Sequence, residues 1–177
     1  MDQPVELIPL VCPKCNAYIP AEVDEVAWVC AQCGQGLYLD EDKGLLPQKI
    51  NFSPGIAPGA RGKPYWVADG RVTLSRETYG GQTGEAEVFW SQPRRFFIPA
   101  FTCTLENMLS QGASLLLQPP DLQPGPPARF EPVTLPLVGV ASPAEFIVMA
   151  IEAGRTDKLK KVEFNLQLTP PVLWILP

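Results

Sequence analysis

The sequence of 177 residues contains no histidine, and this absence narrows the chemistry available to the protein. Imidazole is the usual general base near neutral pH and one of the commonest metal ligands in proteins. Serine and cysteine triads of the standard kind are therefore excluded, as are catalytic zinc sites built from histidine. We expect a protein that is not an enzyme, in which thiolates are the ligands of any transition metal.

Long hydrophobic runs are also missing. The longest uninterrupted apolar stretches have about five or six residues, whereas a membrane-spanning helix needs roughly 20. The N-terminus carries Asp2 and Glu6 where a secretory signal has positive charge, and Pro4 and Pro9 interrupt its apolar residues. We therefore expect a cytoplasmic protein without a transmembrane segment. Disulfides are rare in that compartment, so paired cysteines there indicate metal ligands or redox groups rather than disulfides.

Four of the five cysteines form two C-x2-C pairs separated by fourteen residues. The paired residues are Cys12, Cys15, Cys30 and Cys33. Two residues between thiolates allow one tight turn to present both sulfurs to the same ion. Asn16 and Gly34 directly follow the pairs, and these residue types best tolerate the left-handed backbone with which such turns end. The fifth cysteine, Cys103, has no histidine to act as its base and is expected to be a small core residue.

The segment around the two pairs resembles the zinc-ribbon family, in which two cysteine turns lie at the ends of short antiparallel strands. The resemblance implies that the four paired cysteines bind one structural Zn(2+) ion, and that strands lie at 17–19, 26–29 and 37–39. A zinc ion with four protein ligands has no position left for water or substrate, so it would stabilise a fold rather than catalyse. Iron in a rubredoxin-like site is the less favoured alternative, and a redox C-x-x-C pair is another.

Two proline- and glycine-rich stretches suggest how the chain is organised. Residues 47–63 favour extended, non-repetitive backbone, so we interpret them as a linker. The linker would join an N-terminal zinc ribbon, residues 1–46, to an α+β body, residues 64–177. The second stretch, residues 118–132, is expected to lie on the surface as a partly polyproline-like connection.

The body is predicted to be mainly β with two helices. The Asp69-Gly70 dipeptide accepts the positive φ of a hairpin turn, so residues 64–75 are predicted to form a hairpin. A first helix is predicted at 102–111, ended by Gly112. Further strands are predicted from short apolar or alternating runs at 85–90, 95–98, 113–118 and 133–140.

The last third of the sequence gives clearer signals. Ser142 at the N-cap and Pro143 at the first helical position predict a helix that ends at Gly154. Strict alternation over 162–168 predicts a strand with one buried face. The apolar tail, 172–176, is interpreted as a final strand, with docking onto another chain as the alternative.

Residues 95–118 and 133–168 share the predicted order strand, helix, strand. This order suggests either an internal duplication or the ordinary alternation of an α+β domain.

Charge decides between the partners that a zinc ribbon can have. Residues 1–46 contain eight acidic and two basic residues, a net charge of −6 before any metal is bound. Such a surface repels phosphate, so direct nucleic-acid binding is disfavoured. We expect a non-catalytic zinc-binding module that binds a protein partner or a larger complex, with a homo-oligomer also open. The alternatives are a transcription- or translation-associated adaptor that contacts nucleic acid indirectly, and a rubredoxin-like electron carrier.

Overall fold

The structure is a computed structural model that describes residues 7–80 and 83–177, so Asp2 and Glu6 lie outside the described residues. Its elements confirm the predicted α+β class with a mainly β body. The smaller of the two sheets is N-terminal and antiparallel, in the order β1-β2-β3. Its strands are β1 (Ala27–Val29), β2 (Gly36–Asp40) and β3 (Gly44–Pro47).

The larger sheet has five strands and is built around one long strand. The strands are β4 (Ile50–Phe52), β5 (Lys63–Thr78), β6 (Arg94–Pro99), β7 (Leu159–Leu168) and β8 (Val172–Leu176). Four of them follow the order β4-β8-β5-β6, in which only β4 and β8 are parallel. Gly70 of β5 pairs with Arg94 of β6 on one side and with Leu168 of β7 on the other. Strands β7 and β8 therefore lie in line along the same side of β5.

The predicted hairpin at Asp69-Gly70 is wrong, because β5 runs through it without turning. Both residues pair with β6, and this pairing between distant segments overrides the local turn preference. Gly70 is needed here for space: a Cβ atom on it would lie 2.5 Å from the Phe96 ring. The glycine therefore marks a close approach inside the sheet rather than a turn.

Three helices are present in the described part of the chain, where two were predicted. They are α1 (Gly84–Trp90), α2 (Leu105–Leu117) and α3 (Ala141–Ala153). The strands predicted at 85–90 and 113–118 are wrong, since these residues belong to α1 and α2. The short apolar runs fit either structure, and periodicity alone does not separate them. Of the helices in residues 7–80 and 83–177, none combines the length and apolar character needed to cross a membrane.

The strand predicted at 133–140 is also wrong. Val133 forms a single bridge to Ala27, and 137–139 is a short 3-10 turn. A duplicated strand-helix-strand unit would need strands at both 113–118 and 133–140, so these segments do not repeat one arrangement.

Gly112 does not end α2, because it is the point at which α2 and α3 touch. A Cβ atom on Gly112 would lie 2.3 Å from Cδ1 of Ile147 in α3. The helix continues through the glycine for five more residues, to Leu117. Close packing between the two helices therefore explains why glycine stands at position 112, which the sequence suggested was the end of the helix.

Replacing Gly112 by alanine is expected to lower the free energy of unfolding by about 1–3 kcal/mol, because the added methyl group displaces Ile147. Helix propensity alone would raise it by about 1 kcal/mol. The control is Gly84→Ala at the first residue of α1, where nothing lies within 4 Å of the added Cβ. Urea denaturation measures both variants. A Gly112→Ala protein more stable than the wild type would contradict this packing.

The final elements follow the sequence signals closely. Helix α3 ends as predicted at Gly154, whose amide donates to the Ala150 carbonyl. Its N-cap is Val140 without a side-chain hydrogen bond, so the prediction of Ser142 as N-cap is wrong. Strand β7 confirms the predicted alternation, and the apolar tail forms β8.

Both proline-rich stretches are held against the body by backbone hydrogen bonds. In the first, Ile50–Phe52 forms β4 beside β8. In the second, Gly125 donates to the Phe52 carbonyl at 2.6 Å, and the Arg129 carbonyl accepts from Gly62 at 2.8 Å. The second stretch is therefore a strap that crosses the C-terminal end of β4 and the N-terminal end of β5.

Candidate metal centre

The two cysteine turns have the same backbone hydrogen bonds. In the first turn, the amide of Asn16 donates to the carbonyl of Cys12, and the amide of Cys12 donates to the carbonyl of Ala17. The second turn repeats both bonds, from Gly34 to Cys30 and from Cys30 to Gln35, and all four distances are 2.8 Å. Each turn thereby closes around its first cysteine and directs both sulfurs to the same side.

The residue after each pair has the left-handed backbone that was predicted for it. Asn16 has φ of 60° and Gly34 has φ of 71°. Asparagine and glycine tolerate this region with little strain, whereas most residues do not. The residue types that follow the pairs are therefore part of the site's construction.

The four sulfurs form one compact cluster. All four ligand atoms lie within 4.8 Å of one another. The Sγ atoms of Cys12 and Cys33 are 3.6 Å apart, as are those of Cys15 and Cys30. A tetrahedral ion with bonds of about 2.3 Å separates its sulfur ligands by about 3.8 Å. The predicted residues are brought together, and their spacing fits a single four-coordinate metal ion.

Backbone amides directed at the sulfurs favour thiolates at two positions. The amide of Cys33 is the main cause that lowers the pKa of Cys30 to about 7. At Cys12, burial opposes ionisation, but amides of the same turn outweigh it and lower the pKa. At Cys15, the Ala17 amide lowers the pKa, but burial and the neighbouring sulfurs outweigh it and raise the pKa to about 12. The cluster therefore needs a cation for all four sulfurs to ionise together.

The β1–β2 pair gives this sheet two different faces. Trp28 and Leu37 are opposite each other in the register and pack with the buried cysteines Cys12 and Cys30. Their neighbours Ala27 and Tyr38 form the next pair, and both belong to the core of the body. Successive side chains of a strand point to opposite faces, so the same strands support the metal centre and complete the body's core.

Specific contacts fix the N-terminal sheet to the body. The hydroxyl of Tyr38 accepts a hydrogen bond of 2.9 Å from the Leu137 amide, and its ring meets Trp66 edge to face at 6.0 Å. The amide of Val26 donates to the Val133 carbonyl at 2.8 Å. Neighbouring residues of β1 and β2 thus pack against the candidate metal centre on one face of the sheet and against the body's core on the other.

A second cluster of charged side chains lies inside the body. Glu152 has no exposed surface, and its Oε2 atom lies 2.8 Å from the Nε atom of Arg76. Its Oε1 accepts from Trp90 at 2.7 Å and from Arg155 at 2.9 Å. The guanidinium of Arg76 also pairs with Asp157 and lowers the pKa of that carboxyl group. This network joins α1, α3 and β5, and each of its charges faces an opposite charge.

Sequence reasoning missed this network, although each half left a signal. Arg76 occupies an inward position in the alternation of β5, where Val72 and Leu74 also point inward. Glu152 lies in line with Ala144 and Val148 on the buried stripe of α3. A charged residue at a core position of each element indicates a buried partner, but neither element identifies it.

Cys103 lies outside the metal cluster. It is half-buried, and burial raises its pKa, which disfavours the thiolate that a nucleophile needs. It packs at the edge of a small apolar cluster around Tyr65 and Phe101, close to the core position that was predicted.

Comparison of the chain with protein-family models, with curated proteins and with solved structures gives no match. The likeness to zinc ribbons is therefore carried by the cysteine spacing, the antiparallel strands and the sulfur cluster.

Proposed function

We propose that Cys12, Cys15, Cys30 and Cys33 hold one structural zinc ion, and that the chain is a non-catalytic protein-interaction or assembly module built on this centre. The single observation that carries the proposal is the sulfur cluster, in which all four ligand atoms come from the protein and lie within 4.8 Å of one another. When bound, the ion supplies a cross-link between two turns. The chain's own residues position the sulfurs through the repeated turns and shield them with Trp28 and Leu37.

The surface of the N-terminal part supports a protein as the partner. Large apolar side chains are exposed there, with Leu7 88%, Tyr18 74% and Val23 87% accessible. Acidic residues lie nearby in the sequence, including Glu22 and Asp24. Exposed apolar residues among carboxylates favour a protein with apolar and basic side chains and repel nucleic-acid phosphate.

Metal analysis of protein purified without chelators tests the metal. We expect one zinc ion per chain and no absorption band in the visible range, because zinc has a filled d shell. Iron with visible absorption would instead support the electron carrier, and an absence of bound metal would contradict the proposal.

Purification of the native protein at mild ionic strength tests the assembly role. We expect a protein that remains attached in stoichiometric amount. Nucleic-acid binding that weakens with salt would favour the adaptor instead. A lone chain that turns over a metabolite would contradict a non-catalytic role.

A further inference from the structure

Strand β7 has an outer edge that no other strand covers. The strand is ten residues long, Leu159–Leu168, and pairs with β5 along one side. Within residues 7–80 and 83–177, no segment pairs with its other side. It contains no proline, and its pairing with β5 shifts register only at its start, between Glu77 and Thr78, among the residues that the structure describes. Its remaining length is therefore a regular edge with free hydrogen-bonding groups.

The hydrogen bonds of β5 determine which residues of β7 face this edge. Thr169 donates to the Asp69 carbonyl on the β7 side of β5, whereas Ala100 donates to the Pro64 carbonyl on the β6 side. Odd-numbered residues of β5 thus direct their backbone groups to β7, and they pair with odd-numbered residues of β7. The amides and carbonyls of Val162, Phe164 and Leu166 consequently point to the open edge.

The side chains along this edge form two rows. Val162, Phe164 and Leu166 are half-buried, and the last two pack against the core, so an apolar row is left incompletely covered at the edge. The opposite face carries exposed polar side chains. In chain order they are Lys161, Glu163, Asn165 and Gln167.

We propose that β7 pairs antiparallel with β7 of a second copy of this chain, about a two-fold axis at Phe164. In this register Phe164 lies opposite itself, Val162 opposite Leu166, and the outward amides and carbonyls bond to each other. The two apolar rows become continuous across the interface. A self-complementary surface of this kind is what a two-fold dimer requires.

The polar face selects this register over its neighbours. With the axis at Phe164, Glu163 lies opposite Asn165 and Lys161 opposite Gln167, so no like charges meet. Moving the axis to Glu163 places this carboxylate against its own copy, which is unfavourable. Moving it to Val162 places Glu163 opposite Lys161 but leaves Leu166 and Leu168 without partners. The axis at Phe164 therefore combines the longest ladder with compatible charges.

Opposite charges at Asn165 test this register directly. Asn165→Glu places one carboxylate opposite each of the two Glu163 side chains in the dimer, whereas Asn165→Lys places a cation there. The two-fold axis repeats the pair of residues 163 and 165, so each substitution alters two cross-strand pairs. We expect the dissociation constant of the dimer to rise about tenfold in Asn165→Glu and to fall in Asn165→Lys. The matched variants alter the same exposed side chain and leave the apolar row intact.

Sedimentation equilibrium gives the masses and dissociation constants, and circular dichroism checks that both variants fold. We expect a wild-type dimer of twice the 19.4 kDa chain mass. A wild type that stays monomeric at the highest attainable concentration would overturn the proposal, as would equal or reversed effects of the two charges. The inference goes beyond the metal centre: a monomer that holds zinc and a separate protein partner would refute the dimer and leave the proposed function unaffected.

Discussion

Replacing Cys12 by serine is expected to abolish stoichiometric metal binding and to destabilise the body as well as the N-terminal sheet. The binding energy of a structural zinc site is on the order of 10 kcal/mol in small peptides, comparable with the whole stability of a typical domain. Ala27 and Tyr38 belong to the body's core, so loss of order in β1 and β2 removes core side chains. We therefore expect the unfolding transition of the entire chain to shift to much lower denaturant concentration.

Cys103→Ser provides the matched control, since it removes a thiol outside the cluster. We expect it to retain the wild-type metal content and to change the free energy of unfolding far less. Elemental analysis measures the metal, and circular dichroism in urea measures the unfolding. A Cys12→Ser protein with wild-type metal content, or with an unchanged transition, would contradict the structural role of the centre.

Replacing Glu152 by alanine is expected to lower the free energy of unfolding by about 3–5 kcal/mol. The change removes the partner of the buried Arg76 guanidinium and of the Trp90 indole N–H. Arg76 keeps Asp157, but it loses the carboxylate that approaches its Nε atom. Removing one partner leaves the buried Arg76 charge incompletely compensated. The resulting loss of stability is far larger than the net stability that the intact ion pair provides.

The control for this variant is Arg95→Ala, which removes an ion pair with Asp69 at the surface. Its two side chains are 46% and 50% exposed, so the loss is expected to stay within about 1 kcal/mol. Equilibrium denaturation in urea compares the two variants. Losses of equal size would contradict the assignment of Glu152 to a buried network.

The cluster of four cysteines could be predicted from the sequence because its information is local. Two residues between thiolates define each turn, and Asn16 and Gly34 supply the backbone conformation that closes it. These features depend on neighbours within a few residues, so the spacing alone indicated which four cysteines come together in one cluster. The contact of this unit with the body was not foreseen, because all four side chains of the Ala27–Tyr38 and Trp28–Leu37 pairs are apolar or aromatic, and their sequence does not show which face of the sheet packs on the body.

The errors in the body arise where distant segments decide the local structure. Asp69-Gly70 has strong turn character, yet β6 and β7 hold it in the middle of a strand. The run of 113–118 fits a buried strand, yet its packing against α3 makes it helical. Arg76 and Glu152 are far apart in the sequence, and only the folded chain brings them together. Local propensity carries none of this information.

The position of β8 has a consequence for synthesis on the ribosome. This strand comes after every other element in chain order, yet it lies between β4 and β5 in the sheet. A nascent chain that ends before Val172 therefore has a gap in the middle of its sheet, and apolar residues such as Trp66 lack part of their cover. The cysteine turns precede the body in chain order, so the metal proposed to bind there would be held before β8 is made. The sheet of the body stays incomplete until β8 is made, and until then its apolar residues are exposed to chaperones.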